Sequence, residues 1–107
     1  MDAALRAIGE PRRREILRLV WDGERSSGEI ASHFEITGPA VSQHLRVLRE
    51  AGLVNERREG TRHLFSVDRQ ALRQLRDQLA WMWDEGLADL KQAADSEARR
   101  TGRRRGR

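Results

Sequence analysis

The chain has 107 residues, no cysteine, three histidines and a formal net charge of +4; that length suits one domain, whose small core would gain from a second subunit covering more apolar surface. The absent cysteines exclude disulfides, thiolate metal sites and thiol catalysis and fit a reducing cytoplasm, while the start MDAALRAIGEPRR and the lack of any run of about 18 apolar residues argue against secretion or a membrane span. Six arginines crowd into residues 99–107, so the other 98 residues hold 15 bases against 17 acids, and the basic balance belongs to the tail rather than to the body.

Two short helices are expected first, Asp2–Ile8 and Pro11–Trp21, parted at Gly9 and Glu10. Proline is tolerated at a first helical position, where its missing donor costs nothing, and Ile16, Leu17, Val20 and Trp21 recur at the spacing of one packed face. Asp22-Gly23 closes the second helix. Ser26, with Glu29 three residues on, is the reciprocal pattern of a capping box and opens a third helix over residues 27–34, with Ile30, Ala31 and Phe34 on its buried side. Thr37 offers its hydroxyl to an orphan amide at the head of a fourth helix, which runs from Gly38 to about Ala51 and ends at Gly52. Two helices joined by a few residues, the second one capped, have the form of a helix-turn-helix.

Leu53–Arg57 and Arg62–Val67 read as two strands around Arg58-Glu59-Gly60-Thr61, where Gly60 can supply a positive φ. Phe65 and Val67 alternate toward the core, and His63 falls on their side. Asp68 caps a long last helix reaching about residue 94, with Leu72, Leu75, Leu79, Met82, Trp83, Leu87, Leu90 and Ala94 recurring at three to four residues. From Ser96 the chain is polar and arginine-dense with nothing to bury, and it is expected to be disordered when free. The fold class is mainly α with a small two-stranded β-hairpin, in the order of four helices, two strands and one helix.

The fourth helix has a polar side that its core does not need. On a wheel centred between Val41, Leu45 and Leu48, Gln43 points away from the core. Pro39, Arg46, Val47 and Glu50 surround it, Ser42 and Arg49 lie on one flank, and Ala40 and His44 on the other. In a helix-turn-helix the second helix enters the major groove of double-stranded DNA. A glutamine amide matches N6 and N7 of adenine; Arg46 reaches guanine O6 and N7 or a phosphate; Ser42 is short enough for a base edge or a backbone oxygen. Val47 either meets a thymine methyl or packs on its neighbour, and His44 is as consistent with a partly buried ring as with a phosphate contact. The plain alternative is a solubilising face.

A glycine-turned hairpin beside such a unit makes a winged helix-turn-helix, whose wing lies over phosphates or dips into the minor groove. The candidate major-groove residues are therefore Thr37, Pro39, Ser42, Gln43, His44 and Arg46, and the candidate wing and backbone contacts are Arg49, Arg57, Arg58 and Arg62. Residues 37–67 carry five arginines against Glu50, Glu56 and Glu59, a local +2, whereas residues 68–98 hold four bases and seven acids. The middle third is the part suited to a polyanion.

No metal or other cofactor is expected. His33, His44 and His63 have no second histidine at i+3 or i+4, and His33 with Glu29 reads as a simple i, i+4 pair. No phosphate-cradling glycine loop, HExxH motif or cysteine nucleophile argues for an enzyme.

The chain resembles the ArsR-type winged-helix bacterial repressors. EPRRREILRLV (10–20) is similar to their second helix, SSGEIASHFEITGPAVSQHLRVLREAGLV (26–54) to their helix-turn-helix, and RREGTRHLFSV (57–67) to their wing. The resemblance spans about residues 4–95 and implies a dimer on a palindromic operator. By position, Ser42, Gln43 and His44 fall where that family faces DNA, and Arg58 and Arg62 where its wing does. The cysteines and Asp/His pairs of its metal-sensing branches are missing, and LAWMWDEGLADLKQAAD (79–95) resembles a branch without them.

The same resemblance implies a dimer interface of the first and last helices, through Leu5, Ile8, Leu79, Met82, Trp83, Leu87 and Leu90. Trp81 and Trp83 stand about 200° apart on the wheel, so one of them needs a surface other than its own core. The expected organisation is a DNA-binding and dimerisation domain over residues 1–95 and an arginine-rich tail over 96–107. The expected function is a homodimeric, cytoplasmic transcriptional regulator that reads an inverted repeat through helix 38–51 and wing 57–63, with an unidentified small-molecule effector as a further partner. A protein-interaction module with only non-specific DNA affinity is the alternative.

Overall fold

The computed structural model describes residues 2–82 and 92–95. In chain order its elements are α1 (Asp2–Ile8), α2 (Pro11–Leu19), β1 (Arg25–Ser26), α3 (Ser27–Ala31), α4 (Gly38–Glu50), β2 (Val54–Glu59), β3 (Arg62–Val67) and α5 (Arg69–Trp81). Two units divide the chain, Met1–Leu75 and Arg76–Arg107. The first holds the four leading helices, the sheet and the head of α5; the second holds the last turns of α5 and a helical turn at 92–95. Trp83, Leu87 and Leu90 lie outside the described residues, as does the arginine tail. Among the described residues no helix is long and apolar enough to cross a membrane.

Local chemistry sets the helix ends. Ser26 and Glu29 close the expected capping box, each side chain taking the other's backbone N–H at 3.1 Å. The Thr37 hydroxyl accepts from Ala40 N at 3.2 Å and starts α4. At the far end of α4, Gly52 adopts φ +76° while its N–H donates to Arg49 O at 2.9 Å and Leu53 N–H donates to Leu48 O at 3.0 Å. This is the paired bonding of a Schellman motif, and its hydrophobic contact is Leu48 with Leu53, both essentially unexposed.

Helix α1 is closed by side chains from the next helix. Arg13 donates to Ala7 O at 2.7 Å and Arg6 O at 3.0 Å, and Arg14 donates to Ile8 O at 2.8 Å. Those carbonyls would otherwise be orphans of a seven-residue helix.

Ile16, Leu17 and Val20 from α2, Ile30 from α3, Val41, Leu45 and Leu48 from α4, and Leu53, Val54 and Phe65 around the sheet form one buried cluster. Trp21 does not join it. Helix α2 ends two residues earlier than its periodicity suggests, with Val20 as cap at φ −102° and ψ 10°, so the following side chain leaves the packed stripe. Trp21 is 44% exposed, and the Arg69 guanidinium sits 5.7 Å from its ring centre.

The hairpin is longer and tighter than expected, pairing Val54 with Val67 through to Glu59 with Arg62 around a two-residue loop. Gly60 takes φ +61° at the first loop position, a hand that matches strand twist. The two-residue β1 adds a third strand and makes β3 central in the order β1-β3-β2. Residue 64 departs from simple in-and-out alternation. Phe65 faces the helical core, while Leu64, on the other face between its partners Ser26 and Arg57, is also buried.

Gly52 has open space where a Cβ would stand, so Gly52→Ala tests backbone strain alone. The substitution should cost about 1–2 kcal/mol in urea unfolding, the penalty of a left-handed non-glycine residue. An unchanged midpoint would show that the Schellman geometry is not kept in solution.

Candidate nucleic-acid interface

Burying Val41, Leu45 and Leu48 turns the opposite side of α4 outward, and Ser42, Gln43 and Arg46 are all exposed there. Thr37 and Pro39 are exposed at the head of the same helix. Among the described residues the Gln43 amide has no hydrogen-bond partner, which leaves both its donor and its acceptor available. Val47 takes the second of its two expected roles, packing half-buried against the core.

His44 sits apart from this group. Its side chain is 16% exposed, 3.9 Å from Glu10 Oε2, and its Nδ1 lies 3.4 Å from an Arg13 guanidinium nitrogen. Arg13, which also closes α1, thereby touches α4. Sequence reasoning missed that contact, because the two residues are 31 positions apart.

The wing and the outer end of α4 form one charged surface. Arg46 lies 3.7 Å from Glu50 and Arg49 2.9 Å from Glu56. Arg57 donates twice to Glu24, at 2.7 and 3.0 Å, and reaches Glu59 at 3.1 Å; Arg62 donates to Glu29 at 3.2 Å. Arg58 differs, since among the described residues it faces only the ring of His63, at 3.4 Å. Glu24 and Glu29, which lie outside residues 37–67, take up Arg57 and Arg62, and Arg25 stands 4.0 Å from Glu29, so six arginines face five glutamates and the local +2 falls to +1. Glu29 is spent on the capping box and on Arg62, and the expected Glu29–His33 pair is not formed.

Between α4 and the wing runs a groove of about 240 Å³. Leu45 and Phe65 form its floor, Ser42, Arg46 and Arg49 one wall, and Glu56 and His63 the other, with Ser27 at its edge. Such an arrangement offers amide, hydroxyl and guanidinium groups to base edges and phosphate oxygens. Among the described residues no three His, Asp or Glu side chains gather closely enough to hold a metal ion.

Of the expected dimer positions, Leu5, Ile8 and Leu79 are half-buried and Met82 is 47% exposed.

A sequence model described as "Bacterial regulatory protein, arsR family" matches residues 10–56. The chain is 38% identical to the HTH-type transcriptional regulator Rv2034 of Mycobacterium tuberculosis, over 90% of each chain. It is 35% identical to the transcriptional repressor SdpR of Bacillus subtilis, over 77% of this chain and 88% of that one. Among solved structures, that of a "possible transcriptional regulator for arsenical resistance" superposes with a TM-score of 0.75 at 40% identity, covering 87% of this chain and 95% of the other.

This packing makes three of the carboxylates more acidic. The Arg57 guanidinium holds Glu24 below the ordinary 4.5 of a glutamate. The Ser26 amide does the same for Glu29, and the His63 ring, followed by Arg49, does so for Glu56 against the opposing effect of burial. Each carboxyl is more acidic folded than unfolded. Its contribution is therefore complete above about 4.5 and is lost as pH falls through the lowered values. The melting temperature should hold steady from about pH 7 to 5 and drop below 4.5, and Glu24→Gln should make that drop shallower. Superimposable acid profiles for the parent and Glu24→Gln would show that the Glu24–Arg57 pair is absent in solution.

Proposed function

Because this chain belongs to the ArsR family of winged helix-turn-helix bacterial regulators, which are DNA-binding transcriptional regulators and not enzymes, we propose that it is a homodimeric repressor of an inverted-repeat operator. Each α4 enters a major groove with Gln43 reading adenine, Ser42 and Arg46 contacting neighbouring base edges or phosphates, and Thr37 and Pro39 at the groove wall. The wing lays Arg58 on the backbone, with Arg57 and Arg62 exchanging carboxylate for phosphate, while Arg49 keeps Glu56 and turns its remaining guanidinium N–H groups to the backbone. Two such helices spaced by about one DNA turn, near 34 Å, require a two-fold operator. Occupying promoter DNA in this way excludes polymerase.

The observation that carries this reading is Gln43, an exposed amide without a protein partner at the centre of a helix face whose other side is locked in the core. Repression is favoured by the Bacillus subtilis relative, itself a transcriptional repressor. The dimer reading is favoured by Met82, a large apolar side chain left exposed just past the end of α5; Leu5, Ile8, Leu79, Trp83, Leu87 and Leu90 complete the set expected from sequence. Residues 1–95 form the binding and dimerising part in this proposal, and the 96–107 tail adds non-specific phosphate contacts.

Selection of bound fragments from a random DNA pool tests binding, specificity and symmetry together. Recovered fragments should share an inverted repeat. Recovery without a shared motif would instead favour a protein-interaction module. On the selected duplex, Gln43→Ala should lose roughly 1–3 kcal/mol of preference at one position per half-site. Arg58→Ala should weaken all duplexes alike and reduce the salt slope by about 0.9 log units per subunit. Equal behaviour of the two variants would overturn this division of labour.

A further inference from the structure

The acid–base pairs around α4 and the wing are not equivalent. Arg46–Glu50 lies within one helix and Arg57–Glu59 within one strand, so neither constrains one element against another. Arg57–Glu24 and Arg62–Glu29 tie the hairpin to the approach of β1 and to α3. Among these acid–base pairs of the described residues, only that of Glu56 joins α4 to the wing, beside the apolar packing of Val54 and Phe65 against Leu45 and Leu48. Glu56 Oε1 accepts from Arg49 of α4 at 2.9 Å, and its Oε2 stands 3.0 Å from His63 Nδ1 on β3.

One tautomer of His63 satisfies both neighbours. With the proton on Nδ1 the ring donates to Glu56, and its Nε2 is then free to accept from Arg58, whose guanidinium nitrogen lies 3.4 Å away. Arg49, Glu56, His63 and Arg58 thus form a chain of contacts from the end of α4 toward the wing tip. The backbone link over the same distance is short: between Gly52 and Gly60 only Leu53 and Val54 are buried, Asn55 to Glu59 are exposed, and β3 is held in the core by Phe65.

We propose that Glu56 is a positioning residue for DNA recognition, a carboxylate that fixes the wing against α4 so that Gln43 and Arg58 meet one duplex in register. This rests on the DNA-reading proposal above. Reading helix and wing are two contacts on one rigid body, and the second is made at high effective concentration only while the spacing between them is held. A negative charge facing a polyanion is otherwise unfavourable, which gives the proposal a distinctive sign. Neutralising Glu56 raises the net charge by one, and electrostatics alone would then tighten binding to every sequence. Loss of positioning does the reverse, and only where fit matters.

The test uses the full chain, the selected repeat and a shuffled duplex of the same composition, with Kd measured at about 0.15 M salt and melting temperature as the control for folding. Glu56→Gln should weaken the selected repeat by roughly five- to a hundredfold, the range of one misplaced base contact, and leave the shuffled duplex equal or tighter. His63→Ala removes the ring that holds the Glu56 carboxylate toward Arg49 and should show the same split in weaker form, which keeps the proposal open to refutation if Glu56→Gln folds poorly. Parallel tightening on both duplexes would make Glu56 an ordinary surface acid and overturn its role. A parent chain that binds both duplexes equally defeats the DNA-reading proposal, and the positioning role with it.

Discussion

Burial of Val41, Leu45 and Leu48 fixes the rotation of α4, and every other feature of the surface follows from it. These side chains are 2, 3 and 0% exposed, and fully burying each contributes roughly 1.5–3 kcal/mol. Turning the helix by one residue, about 100°, would bring them out and drive an amide or a guanidinium inward without a partner. The face bearing Ser42, Gln43 and Arg46 is therefore outward by necessity. The Schellman end at Gly52 adds a second anchor, because Leu53 enters the same core directly beneath Leu48.

The charge on that surface is nearly balanced, with most of its arginines paired to carboxylates. Exposed ion pairs of this kind are weak in water, since solvent screens them and two long side chains must be ordered to make them. Weak pairing suits a surface whose arginines exchange one anionic partner for another. A nearly balanced face also exerts little long-range pull on a polyanion, so local fit gains weight against indiscriminate adsorption. Glu56 sits where these considerations meet, as both counter-charge for Arg49 and mechanical link to the wing.

Many arginines of the body serve the main chain instead. Arg13 and Arg14 close α1, Arg25 donates to Leu19 O at the end of α2, and Arg69 donates to Trp21 O. Each supplies a cation to carbonyls at or just beyond a helix end, where the dipole favours it. An arginine-rich composition is therefore a poor guide to phosphate contacts until the carbonyls and carboxylates have been matched.

What the sequence determined alone was local. Ser26 with Glu29, Thr37 before Gly38, Gly52 after the stripe and Gly60 in the hairpin act over one to four residues, a range within which backbone geometry leaves few alternatives. The stripe at 41, 45 and 48 likewise set which side of α4 faces out, and with it the position of Gln43. Tertiary structure decided the rest: the pairing of Arg57 with Glu24 and of Arg62 with Glu29 across 33 positions, the contact of Arg13 with His44, the exclusion of Trp21 from the core, the third strand and the burial of Leu64. Those partners meet only after the helices have packed, so a count of charges along the chain sees a basic segment where the fold has paired most of its arginines with carboxylates.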